Sequence, residues 1–248
     1  MKRVLLSFLF SISFIFTSSC LENGSITVEV GSKQRNLIIP LYKEDKILWD
    51  RLISLNIDGL IAVINPDNGV GTTKSLFYED VINNLITANK TPIGYIPTYY
   101  GSRSINDVKN EVDKWLTFYP NIEGFFIDEV SGNINDYQYY EEIFFYIKSK
   151  GDFLTVLNVG SYPNESYFNI ADNIVVYEGD VINLKIYVCD SYPSKSSIIV
   201  YNGTETDMKN IIKNSNCNYV YITDDNLPNP YDTLPTYIDI EVETIKIY

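Results

Sequence analysis

The 248-residue chain contains no histidine. That absence excludes Ser-His-Asp triads, HExxH zinc sites and imidazole general bases. Acid–base chemistry then falls to Asp, Glu, Tyr or Lys. Cysteine is scarce: Cys20, Cys189 and Cys217 form no CxxC spacing, which argues against a structural zinc site. Cations are outnumbered, 19 Lys and Arg against 32 Asp and Glu, for a net charge of −13. So acidic a chain repels nucleic acid and anionic membrane surfaces, and neither is expected as a partner. What is abundant is aromatic: 21 Tyr and 12 Phe, within a 45% hydrophobic composition. That supports one sizeable core in one large domain. Exposed Tyr also suits sugar faces.

The N-terminus reads as an address. Lys2 and Arg3 precede the apolar run Val4 to Phe16, then Thr17-Ser18-Ser19-Cys20. A short basic region, a short apolar core and a small-residue site make a signal peptide over residues 1–19, too short for a membrane span. Cys20 after small residues resembles a bacterial lipobox, although Thr17 stands where most carry Leu. Lipidation at Cys20 would make it the mature N-terminus and tether the chain to a membrane without spanning it. The competing reading is an ordinary signal cut nearby, with Cys20 incidental. Either way the expected location is the cell surface or the medium. Residues 20–36 read as a polar lead-in, with a strand at Ser25 to Val30. Cys189 and Cys217 can pair in an oxidising compartment, but sequence does not fix their separation.

From Leu37 onward, apolar strand-like runs alternate with helix-like runs. The strands are Leu37 to Tyr42, Gly59 to Asn65, Pro92 to Thr98, Ile122 to Glu129, Phe153 to Val159, Asn173 to Glu178, Ser197 to Asn202 and Tyr219 to Thr223. The helical stretches are Lys43 to Asn56, Leu76 to Asn89, Ile105 to Phe118, Asp136 to Lys150, a turn at Glu165 to Asn169, a weaker helix at Val181 to Tyr187, and Thr206 to Asn214. Eight such units predict an α/β fold, a single (β/α)8 TIM barrel over residues 37–248, with a doubly wound open sheet as runner-up. After Pro228, Pro230 and Pro235 the tail alternates from Tyr237 to Ile247, which predicts a closing strand.

In a barrel, residues just past each strand converge on one face. Here these are Tyr42, Asn65, Thr98, Tyr99, Tyr100, Asp128, Glu129, Asn158, Glu178, Asn202, Thr223, Asp224 and Asp225. None is basic, which argues against phosphate handling, and Gly69-Val70-Gly71 reads as a tight turn. Asp128 and Glu129 end the apolar run Phe125 to Ile127, and Glu178 ends the run Ile174 to Tyr177. Carboxylates there must be hydrogen-bonded, paired or raised in pKa. The plain readings are a helix cap or a cation pair for Asp128 and a cap or lysine pair for Glu178. The chemical reading is two carboxylates facing across a polar aromatic cleft, as glycoside hydrolysis needs. No metal or cofactor is expected, although clustered carboxylates also suit Ca2+ on a structural surface protein.

Several stretches together resemble the spherulation-specific, spherulin-4 family. They are Ile39-Pro40-Leu41-Tyr42, Ala62 to Gly71, Gly94 to Gly101, Gly124 to Glu129, Asn158-Val159-Gly160, Val176-Tyr177-Glu178, Tyr219 to Asp225 and Pro230 to Tyr237. The resemblance spans nearly the whole mature chain. It implies a TIM barrel and an endo-acting glycoside hydrolase on α-1,4-linked galactosamine or N-acetylgalactosamine stretches of exopolysaccharide. By position it implies Asp128 as nucleophile, Glu178 as acid/base and Glu129 as supporting carboxylate, the Asp128 and Glu129 roles being exchangeable. Tyr42, Asn65, Tyr95, Tyr99 and Asn158 would line sugar subsites, with Asn202 and Asp224 as further strand-end candidates. Members often carry His at the end of the seventh strand, where this chain has Tyr201-Asn202, and the stretch from Asp180 to Ser196 diverges. The alternative is a monomeric carbohydrate-binding lipoprotein that kept the barrel and lost turnover.

Overall fold

The computed structural model describes residues 35–248. The expected signal segment, Cys20 and the strand at 25–30 lie outside the described residues. Eight strands form the core: β1 (Asn36–Pro40), β2 (Leu60–Ile64), β3 (Thr91–Pro97), β4 (Gly124–Asp128), β5 (Leu154–Asn158), β6 (Asn173–Asp180), β7 (Ser196–Tyr201) and β8 (Tyr219–Ile222). Each pairs in parallel with the next, and β8 returns to β1, closing the barrel. The strands are rich in Leu, Ile and Val and buried along most of their length, as sheets covered on both faces require. The lead-in therefore ends one residue early, since Asn36 already pairs with Tyr219.

The barrel is wrapped by α1 (Lys46–Ile53), α2 (Leu76–Thr87), α3 (Ile105–Phe118), α4 (Tyr137–Lys150), α5 (Glu205–Asn214) and α6 (Ile238–Ile247). Buried Tyr140, Ile143 and Ile147 of α4, and Val108, Val112 and Trp115 of α3, recur at helical spacing and face the strands. Polar caps fix where helices start. The Asp45 carboxylate accepts from the Ile47 and Leu48 amides, and Thr204 forms a capping box with Asp207. Trp115 lies flat on β3, where Gly94 leaves it room. A Cβ on Gly94 would fall 2.7 Å from the ring, and Trp115 Nε1 donates to the Tyr95 carbonyl at 3.1 Å.

Two expectations are corrected. The predicted helix at 181–187 is only a 3-10 turn, Val181–Asn183, after which Leu184 is extended. β-branched Val181, Ile182 and Ile186 favour helix weakly, and Cys189 is tied by a disulfide to Cys217 just before β8. That bond closes a loop with a sequence separation of 28, a stabilisation of about 3–4 kcal/mol on the chain-entropy model. The tail is helix α6, not a closing strand. With β8 already paired to β1, no edge remains for another strand. The burial of Ile238, Glu241, Val242 and Ile245 follows the helical period rather than alternation.

Glu241 occupies a gap in the barrel's closure. The β1–β8 ladder stops at Leu37–Val220, and the Ile222 amide beyond it donates to Glu241 Oε1 at 2.9 Å. Glu241 is fully buried and its Oε2 has no partner. Burial, followed by the nearby Asp224 charge and against the Ile222 hydrogen bond, pushes its pKa from 4.5 to about 8. Between those values the folded chain keeps a proton that the unfolded chain has lost. Stability therefore falls as pH rises across that window, by up to about 1.4 kcal/mol per unit. Glu241→Gln keeps an acceptor for Ile222. Thermal melts from pH 5 to 8 are expected to show a flatter profile for the variant and a higher melting temperature at pH 8. An unchanged slope would show that Glu241 does not carry it.

Candidate active site

At the C-terminal end of the barrel, register decides which side chains enter the lumen. Tyr95 pairs with Phe126, Phe126 with Val156, and Asn158 with Val175. Paired residues share a side of the sheet and alternate residues face the same way, so Tyr95, Asp128, Asn158 and Val175 point inward. Continued alternation along β6 would turn Tyr177 inward and Glu178 outward. A register shift between Val175 and Tyr177 inserts one extra residue, so that Glu178 pairs with Ile199 and takes the inward place. Bulges of this kind re-aim side chains beside active sites.

The inward groups form one hydrogen-bonded array. Tyr95 Oη donates to Asp128 Oδ2 at 2.6 Å. Asn158 Nδ2 donates to Asp128 Oδ1 at 2.6 Å and to Glu178 Oε2. Tyr231 Oη donates to Glu178 Oε1. The two N–H bonds of an amide diverge by about 120°, so at N···O distances near 2.6 Å the bridged carboxylate oxygens lie roughly 4.5 Å apart. Asn158 Oδ1 is left buried without a partner, an expense of about 1–3 kcal/mol that the two carboxylate bonds offset. Tyr42 packs edge-on against both Tyr95 and Tyr231, each at 5.6 Å between ring centroids.

The two carboxylates sit in unequal fields. Burial raises the Asp128 pKa, while Tyr95, the Glu129 amide and Asn158 oppose it. Burial also raises Glu178, Asp128's charge raises it further, and Tyr231 and Asn158 oppose. Asp128 thus accepts three donors to Glu178's two, an imbalance that favours ionisation of Asp128. Burial and the adjacent carboxylates push Tyr95 and Tyr231 far above the usual phenol value, so both act as donors. Among the described residues no Lys or Arg pairs with Asp128, Glu129 or Glu178, so the cation-pair reading of Asp128 and the lysine-pair reading of Glu178 fall away. Nor does Asp128 cap a helix; the segment after Asn133 is capped by Asn133 itself.

Glu129 turns away from the array to brace the loop after β3. Its Oε2 accepts from the Tyr99 amide at 3.2 Å and its carbonyl from the Tyr100 amide at 2.7 Å. Thr98 Oγ1 donates to the carbonyls of Asp128 and Glu129 at 2.8 and 2.9 Å. Burial and the Asp128 charge raise Glu129, against the Tyr99 bond. Tyr99, Tyr100 and Glu129 all have φ between 49° and 56°. Such backbone costs side-chain-bearing residues about 1–3 kcal/mol each and collects at functional sites.

The remaining predicted positions divide. Asn65 Oδ1 accepts from the Gly69 amide at 2.8 Å and so shapes its own loop. Asn202 donates to Asp180, and Asp224 accepts from the Thr236 amide and hydroxyl. These two line a neighbouring groove with Gly203, Glu205 and Tyr237 and join no hydrogen bond of the carboxylate array. Sequence reading missed Tyr231, whose Pro-flanked position gave no strand-end signal. It also missed the largely buried Arg103–Glu111 ion pair at 2.5 Å, through which the Val70 amide and Pro97 carbonyl are held. A cavity of about 580 Å³ opens at the other end of the barrel, beside Ile61, Leu154 and Tyr219, but it contains no part of the array. No cluster of His, Cys, Asp and Glu among the described residues is arranged to hold a metal ion.

The sequence pattern of the spherulation-specific family 4 matches residues 36–245. The chain belongs to that family. It is 29% identical over 235 residues to spherulin-4 of Physarum polycephalum, covering 86% of this chain and 71% of that protein. Among solved structures, Aspergillus clavatus Sph3 in complex with GalNAc is similar at a TM-score of 0.78 and 20% identity, covering 86% of this chain and 98% of that one. A chitinase from Rhizomucor miehei is similar at a TM-score of 0.55 and 11% identity, covering 86% and 99%. At these identities the likeness to both structures is one of fold. It agrees with the closed barrel.

The bridge itself is testable without a substrate. Burial raises both carboxyls, so they take up protons as the pH falls and ionise as it rises. Asn158→Ala is therefore expected to cost more at pH 8 than at pH 4, with a difference of about 2 kcal/mol. Urea unfolding at both values measures it. Equal losses would mean that the amide's bonds to ionised carboxylates are not what it contributes.

Proposed function

We propose that this protein is an endo-acting glycoside hydrolase that cleaves an amino-sugar exopolysaccharide, galactosamine or N-acetylgalactosamine in α-1,4 linkage, with retention of configuration. The observation that carries the reading is the Asn158-bridged carboxylate pair. Bridged oxygens about 4.5 Å apart lie close to the roughly 5 Å spacing of double-displacement enzymes and well short of the roughly 6.5–9.5 Å that inverting enzymes need for a water between the groups. Family membership and the GalNAc-bound Sph3 support the sugar class.

In this mechanism the ionised Asp128 attacks the anomeric carbon as Glu178 gives its proton to the departing glycosidic oxygen. A glycosyl ester on Asp128 results. Glu178, now ionised, takes a proton from water, whose oxygen attacks the same carbon and frees Asp128. Tyr95 and the Glu129 amide hold Asp128, and the exposed Tyr99 offers a ring face to a neighbouring sugar. Reducing-end release from a galactosaminogalactan-type polymer tests this. Release is expected from the wild type, none from Asp128→Asn, and about 10²–10⁴-fold less from Glu178→Gln. The anomeric proton spectrum of the first product should show retained configuration. Inversion would recast Asp128 as a general base, and no release by the wild type would sink the hydrolase reading.

We also propose export under the segment 1–19 and lipidation at Cys20, supported by Lys2-Arg3, the apolar run Val4 to Phe16 and the small residues before Cys20. Expressed in a bacterium, the chain should incorporate labelled palmitate and partition with membranes, and Cys20→Ser should do neither. Equal labelling of both would remove Cys20 from that role.

A further inference from the structure

Tyr231 differs from the rest of the array in coming from no strand. It sits in the connection between β8 and α6, which crosses the barrel mouth. That connection is braced along its length. The Tyr42 amide donates to the Tyr231 carbonyl at 2.7 Å, and the Asn202 amide to the Asp225 carbonyl at 2.8 Å. Thr233 Oγ1 donates to Asp225 Oδ2 at 2.8 Å, and Tyr237 Oη to the Gly203 carbonyl at 2.7 Å. The phenol is thereby delivered to the Glu178 oxygen that Asn158 does not hold.

We propose that Tyr231 is a positioning residue for Glu178: its hydroxyl fixes the carboxyl group against the Asn158 bridge and sets how readily that group releases and regains its proton. This rests on reading Glu178 as the acid/base. Glu178 faces Tyr42 beyond β1, Tyr95 of β3, Asp128 of β4, Asn158 of β5 and Tyr231, and none of these is a cation. Asn158 divides its two N–H bonds between the carboxylates. Among the described residues, Tyr231 alone gives a side-chain donor to Glu178 and to no other carboxylate. Losing that donor leaves burial and the Asp128 charge opposed by one shared bond, so Glu178 holds its proton to higher pH. Double displacement needs Glu178 protonated in its first half and ionised in its second. The change would spare bond cleavage and slow hydrolysis of the glycosyl ester.

The experiment compares wild type and Tyr231→Phe, both carrying 13C at the glutamate carboxyls, with Glu178→Gln identifying the resonance. Tyr231→Phe keeps the ring that packs on Tyr42. Its Glu178 midpoint is expected about one pH unit higher, and the basic limb of the pH profile for polymer cleavage should move by the same amount. A midpoint within a few tenths of a unit of the wild type would overturn the proposal, even if stability and turnover fell, because those follow from a merely structural role. The carboxyl titration needs no turnover. A raised midpoint without cleavage by the wild type would support Tyr231's role and count against the hydrolase reading alone.

Discussion

The amide of Asn158 is the contact on which the site depends. Two half-buried carboxylates, with which no Lys or Arg pairs among the described residues, repel each other, and their partial burial strengthens that repulsion. One neutral group with two N–H bonds at a fixed angle answers this at both oxygens together. The same group sets the gap between the carboxylates, so the electrostatic remedy and the spacing of the pair are one interaction. The unpartnered Oδ1 of Asn158 shows which demand prevailed.

That bridge closes only if Glu178 faces the lumen, and strict strand alternation would turn it away. The extra residue near Val176 is therefore as much part of the site as the carboxylate it re-aims. Backbone strain around Glu129 and Tyr99 belongs to the same economy of placement. Main-chain bonds from Tyr99, Tyr100 and Thr98 hold the strand end in a shape it would not adopt alone. A rigid parallel barrel can bear such local costs because its strands are buried on both faces and its ladder closes on itself.

Most of the barrel is legible in the sequence, because buried parallel strands and amphipathic helices carry strong periodic signals. The α3 boundaries predicted from Ile105 to Phe118 are those observed. What stays hidden depends on pairing partners. The tail alternates well enough to pass for a strand, but nothing in its own residues says that β1 has already taken the last edge. Glu241 reads as a solvated acid until the missing ladder bond at Ile222 is seen. At the site, the strand-end rule brings out Asp128, Glu178 and Asn158, since those sit at or near the points where strands stop, while Tyr95, inside β3, enters only with the family resemblance. It credits Asn202 and Asp224 equally, although their side chains fasten loops to one another. Tyr231 is invisible to the same rule because it arrives from a connection.

A chain without histidine must divide proton affinities between two carboxylates by other means. Here the division comes from how neutral donors are allotted. Asp128 receives a phenol, a backbone amide and half of the Asn158 amide, while Glu178 receives a phenol and the other half. More donors favour ionisation of Asp128 over Glu178, and a charge on either raises its neighbour. That count supplies the asymmetry that the proposed mechanism asks of its nucleophile and its acid. It requires no cation at the mouth, where a positive charge would favour ionisation of both groups and remove the difference between them.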